Sequence, residues 1–158
     1  MGDGSAPPLA PVPGAPPAEP AGEVEEAPPP TTHLGINVEL SLHAACGAVI
    51  TAEAELTEMD RKVGDGDCGT TLSRGARQIL RDMKGYPWDD YPQLALALGR
   101  SVRRSMGGTS GVLYDILFAA AAASLKEAPG DVPKALAAGV AAVKHYGGAS
   151  AGDRTMLD

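Results

Sequence analysis

Apolar residues recur along this chain at the spacing of helices rather than strands. Leu42, Cys46, Val49, Leu56 and Met59, with Ala52 between them, form one stripe, and Glu53, Glu55 and Glu58 fall mostly off it. Leu72, Ala76, Ile79, Leu80 and Met83 form a second. Leu94, Leu98 and Val102 form a third, opened by Pro92 in a position suited to a first helical turn. An apolar block from Val112 to about Leu125 predicts a fourth helix. Leu136, Val140 and Val143 mark a fifth, with Pro133 near its start and Gly147-Gly148 at its end. No segment keeps a period of two, and Val and Ile are sparse. The pattern predicts an all-α fold, an antiparallel helical bundle of five complete helices with a sixth beginning near Thr155. A chain that stops at Asp158, a few residues into that helix, reads as a fragment.

The periodicity is absent before His33. Ten of the 14 prolines lie between Pro7 and Pro30, set among Ala, Gly and Glu. Such a stretch cannot bury enough apolar surface to offset its ordering entropy, and proline removes backbone donors. Residues 1–32 therefore read as a disordered, Pro/Ala-rich tail or interdomain linker. Residues 33–158 read as the folded domain, incomplete at its C-terminus. A domain cut off a few residues into a helix would leave apolar faces uncovered, so instability or self-association, including a homodimer, is an expectation.

Charge narrows the function classes. The 158 residues carry a net charge of −7, and no Lys or Arg precedes Arg61. The first 60 residues hold ten acids and no base, while the remaining 98 hold 13 bases and ten acids. A broad nucleic-acid face needs clustered Lys and Arg and is excluded. An acidic, lysine-free start is unlike a signal or transit peptide, and no uninterrupted apolar run approaches the ~18 residues of a membrane span. A cytoplasmic protein without a membrane partner is the expectation. Two cysteines, Cys46 and Cys68, exclude a disulfide-dense scaffold.

Three segments between the helices carry the chemistry. In the first, Asp60-Arg-Lys-Val-Gly-Asp65-Gly-Asp67-Cys68-Gly69-Thr70-Thr71, three carboxylates crowd a glycine-rich turn. A hard divalent cation relieves their repulsion, and carboxylate oxygens are the ligands Mg²⁺ prefers. An EF-hand is excluded, because its twelfth position counted from Asp65 is Ala76. A D-x-D phosphotransferase would follow a buried strand, whereas the preceding residues read as helix. A plain polar turn capped by Asp is the competing explanation. In the second segment, Met106-Gly107-Gly108-Thr109-Ser110-Gly111, glycines and hydroxyls stand at a helix start, an arrangement suited to phosphate. It lacks the Lys of a Walker loop, and an ordinary cap would look the same locally. In the third, from Gly147 to Met156, Asp153 and Arg154 follow glycines in a turn expected to open a helix. There Arg154 either holds phosphate or stands in solvent beside an Asp cap. Antiparallel helices with short connections return alternate loops to one end, so all three segments are expected together.

In this order, DRKVGDGDCGTT (60–71), RRSMGGTSGVLYDIL (103–117) and KHYGGASAGDRTMLD (144–158) resemble the DhaL domain of dihydroxyacetone (glycerone) kinases. The similarity runs from about residue 38 to 158 and is nearest to the single-chain ATP-dependent eukaryotic forms. It implies an all-α barrel with nucleotide at one rim and a linker from a DhaK-like substrate domain. By the same resemblance, Asp60, Asp65 and Asp67 match the aspartates that hold two Mg²⁺ ions. Cys68, Gly69, Thr70, Thr71, Gly108, Thr109 and Ser110 match phosphate contacts. Gly147, Arg154, Thr155 and Met156 match the nucleotide-contacting third loop. Position 68 is often His in bacterial relatives, so Cys68 reads as a small contact residue and not a nucleophile.

The implied activity is transfer of the γ-phosphoryl group of Mg-ATP to a triose hydroxyl. In the family a histidine of the other domain captures the triose, and His33, His43 and His145 do not match it. The expectation is that this chain binds Mg-ATP and needs a DhaK-like domain, in cis or in trans, to phosphorylate triose. A non-catalytic nucleotide-binding subunit that relays phosphate from a partner protein is the alternative. Some eukaryotic relatives also cleave FAD to cyclic FMN, a side activity these residues neither support nor oppose.

Overall fold

Six α-helices and no strand make up the described residues, 25–153 with Thr155 and Leu157, of this computed structural model. They are α1 (His33–Thr51), α2 (Glu53–Arg61), α3 (Cys68–Asp82), α4 (Tyr91–Met106), α5 (Gly108–Glu127) and α6 (Val132–Gly147), with a 3₁₀ turn at Met83–Gly85. The all-α expectation holds. Two of its details change. The first apolar stripe spans two helices, because Ala52 (φ −82°, ψ 1°) interrupts the chain between α1 and α2. The backbone ladder survives the break, since Ala52 N–H reaches the Ala48 carbonyl and Leu56 N–H reaches that of Ala52. The Thr51 hydroxyl donates back to the Gly47 carbonyl at 2.9 Å, a bond that bends helices. Residues 151–153 form a turn and a bend, and Thr155 and Leu157, the described residues where the sequence predicts a further helix, are not helical. Residues 1–24, Arg154, Met156 and Asp158 lie outside the described residues.

Local chemistry accounts for the helix starts. The Thr32 hydroxyl accepts from Gly35 N–H at the head of α1, and Asp90 and Asp131 accept from Gln93 and Lys134 N–H at the heads of α4 and α6. Pro92 and Pro133 sit in the first turns of those two helices, where no intrahelical donor is lost. Residues 27–32, inside the stretch read as linker, lie along the body. Ala27 N–H bonds the Lys84 carbonyl. Asp89 receives the backbone and hydroxyl groups of both Thr31 and Thr32. These bonds, the Thr31 hydroxyl foremost, hold the Asp89 carboxyl far below the usual carboxylate range.

Successive helices from α3 onward run antiparallel. Gly75 of α3 faces Met106, while Asp82 faces Ser101. Gly99 of α4 faces Asp115 and Phe118, and Gly111 faces Arg103. Cys46, Ala76, Ile79, Tyr86, Trp88, Leu94, Leu98 and Val102 form the main core. Inside it the buried Asp82 carboxylate accepts from Ser101 Oγ (2.6 Å), Arg104 Nη2 (2.7 Å) and Gln78 Nε2 (2.9 Å). The Tyr86 hydroxyl completes this brace by donating to Ser101 at 2.8 Å, and burial pushes its pKa up.

The fifth stripe is corrected in part, since Val143 is buried as its place in the stripe suggests and the other two residues are not. Leu136 and Val140 are 56% and 44% exposed, and the face of α6 that packs is Ala135, Gly139 and Val143. A Cβ on Gly139 would lie 2.8 Å from the Leu117 carbonyl oxygen, so the backbone of α6 comes close to that of α5 at Gly139. Close axial approach has displaced the larger residues to the outside. By length and composition alone, α1 and α5 could each cross a membrane, with mean hydropathy of 1.3 over an 18-residue window. Helix α5 lies against both α4 and α6, and α1 packs on α3 through Cys46.

Candidate functional site

The topology returns the connections after α2, α4 and α6 to one end of the bundle. Met106, the last residue of α4, lies against Gly75 in the second turn of α3. Gly147, the last residue of α6, approaches Leu113 in the second turn of α5.

The α2–α3 connection wraps around Asp60. Val63 and Gly64 N–H donate to its backbone carbonyl. Its Oδ2 accepts from Asp67 N–H (3.0 Å) and Cys68 N–H (3.1 Å), so α2 supplies the cap that α3 lacks locally. Each glycine of the segment has its own reason. A Cβ on Gly64 would collide with the Asp60 carboxylate, and Gly66 takes a positive φ of 76°. One on Gly69 would lie within 2.7 Å of Thr57 N and closer still to the Glu53 carbonyl, so this residue lets α3 rest on α2.

This folding brings one carboxylate oxygen from each of Asp60, Asp65 and Asp67 within 4.8 Å of one another. Asp65 and Asp67 are exposed and Asp60 half-buried. Oxygens bound to one Mg²⁺ at ~2.1 Å stand about 3 Å apart when adjacent and about 4 Å when opposite. Small side-chain rotations therefore fit the three to a hard cation, and Asp60 keeps Oδ1 free of the two amides. The neighbouring Cys68 thiol is pushed up in pKa by burial and then by the charges of Asp60, Asp67 and Asp65, which favours the neutral thiol.

Two helix starts beside the carboxylates expose donors. Asp67 makes no side-chain cap bond to α3, and Gly69 and Thr70 N–H have no acceptor among the described residues. Helix α5 begins at Gly108, earlier than the apolar block suggested, so Thr109 and Ser110 lie in its first turn. Neither they nor Gly107 cap it. The first backbone bond of α5 is Gly111 N–H to the Gly107 carbonyl, leaving the amides of Gly108, Thr109 and Ser110 open. Open amides at a helix start, aided by the helix dipole, suit an anion. Burial pushes up the pKa of Tyr114, one turn further on, and Cys68 across the gap between α3 and α5 adds to that shift.

The third segment is built differently from the expectation. Gly148 (φ 70°) ends α6 in a left-handed cap, and Asp153 accepts from Ser150 N–H at 2.8 Å to close a turn. The Thr155 hydroxyl accepts from Leu157 N–H. Arg154 and Met156, named as nucleotide contacts from the sequence, lie outside the described residues. One participant went unread in the sequence. The Arg74 Nη2 donates to the Met106 carbonyl at 2.6 Å, across 32 residues, and no local spacing signals such a bond.

Residues 62–158 match the DAK2 domain family. The matched stretch includes Asp65 and Asp67 and begins two residues after Asp60. A triokinase/FMN cyclase of Homo sapiens is 42% identical over 149 residues, covering 90% of this chain and 25% of the relative. A dihydroxyacetone kinase of Citrobacter freundii is 43% identical over 108 residues, covering 67% and 19%. The crystal structure of the C. freundii dihydroxyacetone kinase in complex with AMP-PNP and Mg²⁺ superposes with a TM-score of 0.71 at 35% identity, covering 95% of this chain and 27% of that one. The chain thus spans about a quarter of the length of such relatives.

Proposed function

This chain belongs to the DAK2 domain family, and on that premise we propose that it is the ATP-binding domain of a dihydroxyacetone or glyceraldehyde kinase. The observation that carries the reading is the convergence of three carboxylates and two helix starts with open amides at one end of the bundle. Asp60, Asp65 and Asp67 would hold Mg²⁺, as two ions in this reading. When bound, the metal supplies positive charge against the phosphates during in-line phosphoryl transfer. The open amides of Gly69, Thr70, Gly108, Thr109 and Ser110 bind and orient phosphate oxygens, with the hydroxyls of Thr70, Thr71, Thr109 and Ser110 beside them. Cys68 contributes contact surface. Gly147, Arg154, Thr155 and Met156 would complete the nucleotide pocket from the third connection. The co-complex of the C. freundii kinase with AMP-PNP and Mg²⁺ supports the ligand class. The acceptor hydroxyl is a triose delivered by a DhaK-like domain, which residues 1–32 would tether.

Calorimetric titration with ATP, with and without Mg²⁺, tests the proposal, using Asp65→Ala as the control. Mg²⁺-dependent binding that Asp65→Ala abolishes is the expected result, and its absence defeats the reading. Addition of a separate DhaK-like domain should then yield triose phosphate. Binding without turnover would instead identify a nucleotide-holding subunit that relays phosphate from a partner.

A further inference from the structure

Helix α3 points a row of arginines outward from the site: Arg74, Arg77 and Arg81, one helical face above Thr70. Two of them stay on their own side of the bundle. Arg77 pairs with Glu53 of α2 at 3.2 Å, and Arg81 donates to Gln78 at 2.6 Å. Arg74 instead crosses to α4 and donates to the carbonyl of Met106. That carbonyl ends a helix, has no backbone donor among the described residues, and sits at the negative end of the α4 dipole, where a guanidinium is favoured.

The next two residues make this bond consequential. Gly107 (φ 66°) and Gly108 (φ 53°) are consecutive left-handed residues, and a Cβ on either would meet nothing within 4 Å. Packing therefore does not wedge these two glycines themselves, and the direction of the turn depends on what anchors its ends. On the α5 side, Arg103 and Asp115 pair at 2.8 Å, a bond that joins α4 to α5 and leaves α3 out. The Met106 side chain is held in the core against Gly75 of α3, and Arg74 adds the hydrogen bond that ties the backbone of the turn, at the Met106 carbonyl, to α3.

Resting on the nucleotide reading above, we infer that Arg74 is a positioning residue. It sets the spacing between the α3 start, with the amides of Gly69 and Thr70, and the α5 start, with those of Gly108 to Ser110. Both sets must meet phosphates of one nucleotide. Without the guanidinium, the glycine turn samples other directions and the second set is no longer pre-aligned.

The test compares Arg74→Gln, Arg74→Lys and, as a charge control on the same face, Arg77→Gln with the unaltered chain. Hydrogen exchange without nucleotide reads the turn, and titration with Mg-AMP-PNP reads the site. In Arg74→Gln, the bonded amides of the first turns of α5, from Gly111 onward, should exchange faster while the bonded amides of Val63, Gly64, Asp67 and Cys68 keep their protection. Loss of one charge-assisted hydrogen bond should weaken Mg-AMP-PNP about tenfold. Arg74→Lys should recover part of both effects, and Arg77→Gln should show neither. Weakened binding with unchanged exchange would mean that Arg74 touches phosphate directly, which overturns the positioning role. Faster exchange with unchanged affinity would make the bond merely structural and also overturn it. If the unaltered chain fails to bind Mg-AMP-PNP, the nucleotide reading fails and the inference with it. Binding by the unaltered chain that Arg74→Gln leaves intact refutes the inference alone.

Discussion

Asp65→Asn should raise the stability of the metal-free protein and lower that of the Mg²⁺-bound one. The ligand oxygens of Asp60, Asp65 and Asp67 lie within 4.8 Å of one another, and Asp65 takes part in two of the three repulsive pairs. Two unit charges at that distance repel by about 0.9 kcal/mol in bulk water, and salt at physiological strength roughly halves this. The protein on one side of the site lowers the dielectric and raises it again, so removing two pairs relieves about 1–2 kcal/mol. An opposing effect is the attraction of Asp65 to the α3 N-terminus, about 0.5 kcal/mol at an exposed position. Asp65 accepts no hydrogen bond among the described residues, so Asn forfeits nothing else there. Repulsion wins by about 1 kcal/mol, which for a domain of this size is a melting-point rise of about 4 °C. Thermal melts by circular dichroism in EDTA and in millimolar MgCl₂ provide the assay. The variant should melt above the unaltered chain in EDTA and below it in Mg²⁺, and its advantage should vanish in 1 M KCl, where the Debye length is about 3 Å. A variant that melts lower in EDTA, or gains as much from Mg²⁺ as the unaltered chain, would refute the carboxylate-crowding argument.

Gly69→Ala puts a methyl group against backbone atoms of Glu53 and Thr57, so α3 must lift from α2. A loss of about 1–3 kcal/mol in urea unfolding is expected, together with a smaller Mg²⁺-induced shift; an unchanged midpoint would contradict the contact. Asp82→Ala removes a 6% exposed carboxylate and strands Ser101 with its Tyr86 partner. Arg104 is largely solvated and loses little, so about 2 kcal/mol is expected by chemical denaturation, and Asp82→Glu should not rescue the packed geometry. The Asp89 carboxyl is held low by Thr31 and Thr32, so its contribution is present above the unfolded-state value of about 3.9 and is lost as pH falls below it. The stability difference between the unaltered chain and Asp89→Asn should therefore be constant from pH 7 to 5 and shrink below pH 4, and a gap independent of pH would rule out the threonine clip.

Much of this architecture is readable from short-range pattern. The helical period of Leu94, Leu98 and Val102 matches their burial, and Pro92 and Pro133 stand in first turns. The glycine pair at 147 and 148 ends α6. These features depend on neighbours within a turn or two, which sequence spacing encodes directly. Crowding of Asp65 and Asp67 follows from a two-residue separation in a glycine-rich turn. Period alone misassigned the inner face of α6, because Leu136 and Val140 carry the stronger hydrophobic signal while Gly139 permits the closer approach to Leu117. The break at Ala52 had no proline or glycine to announce it.

Residue order along the chain thus established helix content, the punctuation of the elements and the chemical type of the three connecting segments. Tertiary packing decided which atoms share the site. Asp60 spends one oxygen capping α3 from the end of α2, and Gly69 exists so that those two helices can touch. Arg74 reaches a carbonyl 32 residues away, and Asp82 is buried among partners from both α3 and α4. Each of these bonds joins groups whose separation in sequence bears no fixed relation to their separation in space. Spacing along one helix constrains faces, whereas the crossing of two helices is chosen by the fit of all their side chains at once.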